Sequence, residues 1–154
     1  MARIKLQLPD AFPFRTELSV RVTDLNYGGH LGNDAVLGLL HEARVRCLAA
    51  QGFTELDVAG KPDATTSGTL DVGRIGLLMA DCAIVYKAQG FLGDRLTVAV
   101  AAGEWSRVGC DLFYRITRAD GAELVRAKTA MVCFDYAAQA VREVPEAFRM
   151  ALGG

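Results

Sequence analysis

Asp24-Leu25-Asn26-Tyr27-Gly28-Gly29-His30-Leu31-Gly32-Asn33-Asp34 is the densest run of polar groups and glycines in the chain, and it feeds directly into an apolar segment. Asn33 or Asp34 is a good helix N-cap. The helix should run to about Ala50, with Gly52 as its stop. Val36, Leu37, Leu39, Leu40, Val45, Cys47 and Leu48 cover most of its circumference. A helix that is apolar nearly all round is buried on most sides. No apolar run approaches the roughly 18 residues needed to span a bilayer, so other elements of the chain must surround this helix.

Those elements read as strands. Upstream, Arg3 to Leu8 is an extended lead-in, and Pro9 and Pro13 bracket a turn. From Glu17 to Asp24, Leu18, Val20 and Val22 alternate with Glu17, Ser19, Arg21 and Thr23, the period of a half-buried strand. Asp24 and Asn26 share the parity of the apolar positions, which places two polar groups on the core side at the strand's end. Downstream, Phe53 to Arg74 has no clear period and reads as a long connection, with one turn of helix near Thr54 to Val58. Four strands follow: Ile75 to Lys87, Leu96 to Trp105, Val108 to Arg118 and Glu123 to Tyr136. Asp120-Gly121 is the hairpin turn between the last two. Pro145 opens a short C-terminal helix ending by Leu152. The order β-α-β-β-β-β gives an α+β class: one antiparallel sheet curled round one long helix, in a single domain over 1–154. Asp81 inside the apolar run from Ile75 needs a partner or a bulge if it is buried.

Bulk properties narrow the function. The chain has 154 residues, 51% of them hydrophobic, with 17 basic and 18 acidic side chains and a formal net charge of −1. That balance offers no field for nucleic acid or an anionic membrane, so an anionic ligand must be held by a few local cations. Met1 to Leu8 alternates charged and apolar residues and lacks the apolar stretch of a secretory signal. Cys47, Cys82, Cys110 and Cys133 lie far apart in apolar surroundings with no CxxC pair. They read as buried free thiols of a cytoplasmic protein in a reducing compartment. His30 and His41 are the only imidazoles and do not form a metal-ligand spacing, so no metal is expected.

At the junction of strand and helix, unpaired backbone N–H groups and the positive end of the helix dipole equip the opening stretch to stabilise an oxyanion. Its glycines let a ligand approach the backbone closely. An ordinary capped turn would use the same residues.

The stretch resembles the signature of the 4-hydroxybenzoyl-CoA thioesterase-like hot-dog family, which includes the YbgC type of acyl-CoA thioesterases. Members read D-x-D-x-x-G-H-V-N-N. This chain reads Asp24-x-Asn26-x-x-Gly29-His30-Leu31-Gly32-Asn33, and Leu37 and Arg44 then fall in step with the helical part of the pattern. The resemblance covers Glu17 to Ala50 directly, and the four strands that follow agree with it in order and length. It implies hydrolysis of an acyl-CoA or acyl-carrier thioester, with no cofactor beyond the coenzyme A of the substrate. In that family the second Asp of D-x-D is base or nucleophile. Here that position is Asn26, and a neutral amide cannot take a proton from water.

The resemblance and the helix-end geometry together define a candidate catalytic set of Asp24, Asn26, His30, Gly32, Asn33 and Asp34. The backbone N–H of Gly32 or Asn33 would polarise the carbonyl. Asp24, Asp34 and Glu42 are the carboxylates available as base in place of an Asp at position 26. Capping is an equal role for Asp34, and pairing with a nearby cation is one for Glu42. Arg107 matches a basic residue of related thioesterases near the junction of two strands, where it would meet a coenzyme A phosphate. Arg74 and Lys87, flanking the second strand, and Glu42 are the other candidate substrate contacts. A lone unit leaves part of the helix and one sheet edge uncovered, so a homodimer with sites between subunits is expected, with a homotetramer as the larger form. The alternatives are an acyl-CoA or apolar-acid binding protein without turnover, and a hot-dog dehydratase or hydratase.

Overall fold

The computed structural model describes residues 4–60 and 75–154. The elements are β1 Phe14–Ser19, α1 Asn33–Ala50, β2 Ile75–Tyr86, β3 Arg95–Gly103, β4 Gly109–Arg118, β5 Glu123–Asp135, β6 Ala140–Val141 and α2 Glu146–Ala151. They form one six-stranded sheet in the order β1-β3-β4-β5-β2, with β6 paired to β5. The α+β class, the long helix and the four later strands stand as the sequence predicts. β6 has no counterpart there, because two residues carry no period.

Compact packing divides the chain into a first unit built on Met1–Cys47, Ala83–Ala101 and Phe113–Lys128, and a second built on Leu48–Cys82, Ala102–Leu112 and Thr129–Gly154. In the first unit β1 runs antiparallel to β3, pairing Leu18 with Leu96, Thr16 with Val98 and Phe14 with Val100. Alternation sends Leu96, Val98 and Val100 to one face and Ala99 and Ala101 to the other, and all five are buried. Phe12 covers the two alanines, with Leu8 and Phe113 packed beside it. The small side chains of Ala99 and Ala101 leave room for that ring, and the Arg115 guanidinium stands 4.8 Å over it.

The second unit is built round aromatic edges. Phe148, fully buried on α2, meets the Phe53 ring at 5.3 Å and 87° and the Trp105 ring at 6.3 Å and 77°. β4 and β5 approach so closely at Gly109 that a Cβ there would lie 2.0 Å from the Met131 carbonyl oxygen. Burial pushes the Cys110 thiol up to about 12 and Cys133 to about 11, as it does Cys47 in the first unit. Cys82 departs from the expectation of four buried thiols: it sits in the exposed middle of β2. Asp81 is exposed beside it, so no buried charge arises there.

Three further expectations need correction. The strand does not continue to Asp24. Its ladder ends with Val20, whose N–H donates to Asp94 O at 3.0 Å, and Val22–Asp24 is a 3₁₀ turn. Val22 is therefore 70% exposed, whereas Val20 is buried. The physical reason is Asp24 itself. Its carboxylate accepts from the Arg21 backbone N–H at 2.8 Å and from the guanidinium at 3.2 and 3.1 Å, a local alternative to the ladder. The turn of helix near Thr54 to Val58 is a tight turn instead, closed by Thr54 and Asp57 exchanging N–H···O bonds at 3.2 Å. Finally, α1 is less buried than its apolar circumference implies: Asp34, Gly38, His41, Val45 and Ala49 form an exposed stripe at helical spacing, the uncovered part of the helix expected of a lone unit.

Candidate active site

α1 begins one residue before the expected caps allow. Asn33 and Asp34 are its first two residues, and Gly32 holds the N-cap position, its carbonyl accepting from Val36 N–H at 3.2 Å. Gly32 N–H donates to the Asp24 carbonyl at 2.8 Å. This bond ties the 3₁₀ turn to the helix start, and it commits the Gly32 N–H. The N–H of Asn33, in the first turn, has no acceptor within the helix.

Between these points the chain forms a closed loop. Leu25 and Leu31 make a bridge. Asn26 N–H donates to His30 O at 2.9 Å, and Gly29 N–H to Asn26 O at 3.0 Å. Gly29 has φ of +76°, a conformation glycine adopts without strain. The Asn26 side chain accepts from Gly28 N–H at 2.8 Å and lies 3.3 Å from His30 Nδ1. On its far side the loop is pinned by Leu31 N–H donating to Gly90 O at 2.8 Å and by the bridge of His30 with Phe91.

His30, Leu31, Asn33, Val36, Tyr86, Lys87, Gln89 and Val125 line a cavity of about 240 Å³ in the first unit. Tyr86, which the sequence reading passes over, donates from its hydroxyl to the Asn33 carbonyl at 3.0 Å and so anchors the first helical turn. Only a long-range contact, 53 residues apart in sequence, reveals it. Lys87 lines the same cavity and pairs with Glu123 at 2.9 Å; Arg126 and Arg115 converge on that carboxylate at 2.6 and 3.6 Å. The bond from Arg126 lowers the Glu123 pKa, burial opposes it, and Lys87 adds to the lowering, so the carboxyl sits below its usual range.

The three candidate carboxylates separate clearly. Asp24 is buried under its bonds from Arg21. Burial raises its pKa, but the Arg21 side-chain and backbone bonds and the guanidinium charge together outweigh that and hold it below the usual carboxylate range. Glu42 is bonded to Arg46, which also reaches Thr16 Oγ1 and Glu17 O. Glu42, Arg46 and Glu17 line a separate polar groove with Arg21 and Arg95. Asp34 is exposed, with its carboxylate folded back over Gly32, where an added Cβ would come within 2.6 Å of Oδ1. Of the substrate candidates, Arg107 is in the second unit, exposed and paired with Glu143 at 2.9 Å. Arg74 lies outside the described residues. Among the described residues no group of three or more His, Cys, Asp or Glu could hold a metal ion, and no helix is long and apolar enough to cross a membrane.

Asp24's lowered pKa gives stability a pH dependence. The carboxylate contributes fully above the ordinary carboxylate range, and the contribution is lost as pH falls through that range towards the lower folded value. Asp24→Asn is expected to cost about 1 kcal/mol at neutral pH, discounted because Arg21 is exposed. The gap to wild type should close in acid. Urea titrations at neutral and acid pH measure this, and a gap that stays constant with pH would rule it out.

A family model described as the thioesterase-like superfamily matches residues 20–152. No curated protein matches the sequence. Among solved structures, a 1,4-dihydroxy-2-naphthoyl-CoA thioesterase from Synechocystis superposes with a TM-score of 0.76 at 23% identity, over 90% of this chain and 94% of that one. A thioesterase from Thermus thermophilus, solved with coenzyme A and zinc, gives a TM-score of 0.72 at 22% identity, over 94% and 100%. The YbaW probable thioesterase from Escherichia coli gives 0.66 at 21%, over 90% and 95%. These likenesses establish the fold, an antiparallel sheet with one long helix against it, which is the hot-dog fold. With the family model matching all but the ends of the sequence, the chain belongs to the thioesterase-like superfamily.

Proposed function

We propose that the protein hydrolyses acyl thioesters of coenzyme A or an acyl carrier, as the YbgC-type signature at Asp24 to Asn33 implies. One observation carries the reading: the first turn of α1, through Asn33 and Val36, lines a cavity that brings together apolar Leu31, Val36 and Val125 with polar His30, Asn33 and Tyr86. The thioester carbonyl sits against the Asn33 N–H, where the helix end favours developing negative charge. Water adds to the carbonyl carbon as the C=O pair moves onto oxygen. Asp34, the candidate carboxylate without a cationic partner among the described residues, takes the water's proton. The tetrahedral species collapses, the C–S bond breaks, and Asp34 returns the proton to sulfur, giving free acid and thiol. Lys87, which lines the cavity and pairs with Glu123, is the cation for the carrier's anionic groups.

The catalytic unit in this reading is one domain acting as a homodimer. Two features support assembly: β2 is one edge of the sheet, with Leu78, Met79 and Tyr86 exposed, and the open stripe of α1 carries Gly38, Val45 and Ala49. Asn26 favours one alternative, because an amide in the place of the family's acid fits a protein that binds acyl-CoA without turnover.

Free-thiol release from a panel of short, long and aromatic acyl-CoAs decides between them, with light scattering on the same preparation. Turnover by a dimer supports the thioesterase. Melting shifts with no thiol released, or turnover by a monomer, would overturn the corresponding part of the reading.

A further inference from the structure

The closed loop holds a polar pair, the Asn26 carboxamide and the His30 imidazole, whose contacts point to one arrangement of protons. The Asn26 carboxamide has one accepting and one donating end. Gly28 N–H can only donate, and it lies 2.8 Å from Oδ1. That contact assigns the oxygen and leaves Nδ2 facing His30 Nδ1 at 3.3 Å. An NH₂ group only donates, so Nδ1 must offer its lone pair. A neutral imidazole with a bare Nδ1 carries its proton on Nε2. The backbone leaves the pair little freedom, because Asn26 and His30 also bond to each other across the loop. Gly28 supplies the room: a Cβ there would lie 3.0 Å from His30 Nε2 and 3.2 Å from Asn26 Oδ1.

Resting on the thioesterase reading, we propose that Asn26 is a positioning residue acting through His30. It holds the imidazole as the Nε2–H tautomer, so that His30 donates a hydrogen bond to the acyl carbonyl instead of accepting a proton from water. A carboxylate at position 26 would do the reverse. Both of its oxygens accept, so it would take the Gly28 N–H and also draw the imidazole proton to Nδ1, leaving Nε2 as an acceptor. Exchange of one NH₂ for one oxygen thus changes a donor into a base on the same backbone. It also accounts for the amide: with Asp34 as the base, a second base is not required, and a second carbonyl donor beside Asn33 N–H is useful.

Two measurements test this on the full chain. Long-range ¹H–¹⁵N spectra of imidazole-labelled protein at mildly alkaline pH report which ring nitrogen is bare. The chain has two histidines, so His41→Gln assigns them. The expected result is a bare Nδ1 on His30 in wild type and a bare Nε2 in Asn26→Asp. A bare Nε2 in wild type, or the same pattern in both proteins, overturns the proposal, and neither outcome depends on turnover. The second measurement is thiol release. Gln keeps an N–H donor, so His30→Gln should stay within about tenfold of wild-type kcat, while His30→Ala falls about 100-fold. Equal losses in the two variants would show that His30 is not a donor, whereas absence of turnover in wild type speaks against the thioesterase reading and leaves the spectra to judge the tautomer.

Discussion

Asp34→Asn is expected to lower kcat for thioester hydrolysis by about 10²–10⁴-fold, the usual contribution of a positioned general base. The basis is elimination among the three candidate carboxylates of the site's neighbourhood. Asp24 is committed to Arg21 through three hydrogen bonds, and Glu42 to Arg46. Asp34 is exposed, one residue beyond the Asn33 that lines the cavity, and folded back towards the helix start. Its replacement by an amide of the same shape removes the proton acceptor and keeps the volume. The helix loses a favourable first-turn charge worth about 0.3–1 kcal/mol, so the melting temperature should fall by no more than about 4 °C. Kinetics and melting of the same preparation separate the two effects. Retention of wild-type kcat in Asp34→Asn would remove the base from this position.

The largest stability effect is expected at the other end of the sequence. Phe148→Ala should cost about 3–5 kcal/mol, the range for truncating a buried aromatic ring. Phe148 is the buried residue of α2, and its ring meets both Phe53 and Trp105 edge-on. Truncation opens a cavity between two rings that cannot collapse together without moving the segments that carry them. At roughly 2–4 °C per kcal/mol for a chain of this size, the melting temperature should drop by about 6–20 °C. A drop under about 2 °C would mean that α2 is peripheral to the cooperative unit.

Most of the architecture was legible because it follows from repeating patterns. The apolar residues from Val36 to Leu48 mark α1, and alternation such as Leu96, Val98 and Val100 marks the strands. The misreadings come from single contacts that a local pattern does not encode. Alternation across Leu18, Val20 and Val22 continues in the sequence, but Asp24 captures the Arg21 N–H and the strand ends. Gly32 takes the N-cap position from two better capping residues, its carbonyl accepting from Val36 N–H and its N–H tied to the Asp24 carbonyl. The candidate site was legible as a stretch and not as a constellation. Asn26, His30 and Asn33 are near neighbours in sequence and remain so in space. Tyr86 and Glu123 reach the site only through sheet pairing, which no local period encodes. Arg107 resembles a family cation, yet pairs with Glu143.

The close approach of β4 and β5 at Gly109 has a consequence for how the sequence can change. Any other amino acid puts a carbon against the Met131 carbonyl oxygen, so neighbouring positions can be exchanged while this one keeps a single permitted letter. In a library of random substitutions it should stay glycine in every folded clone, whatever thioester the clone prefers. Its invariance would then record the spacing of two strands and carry no information about chemistry.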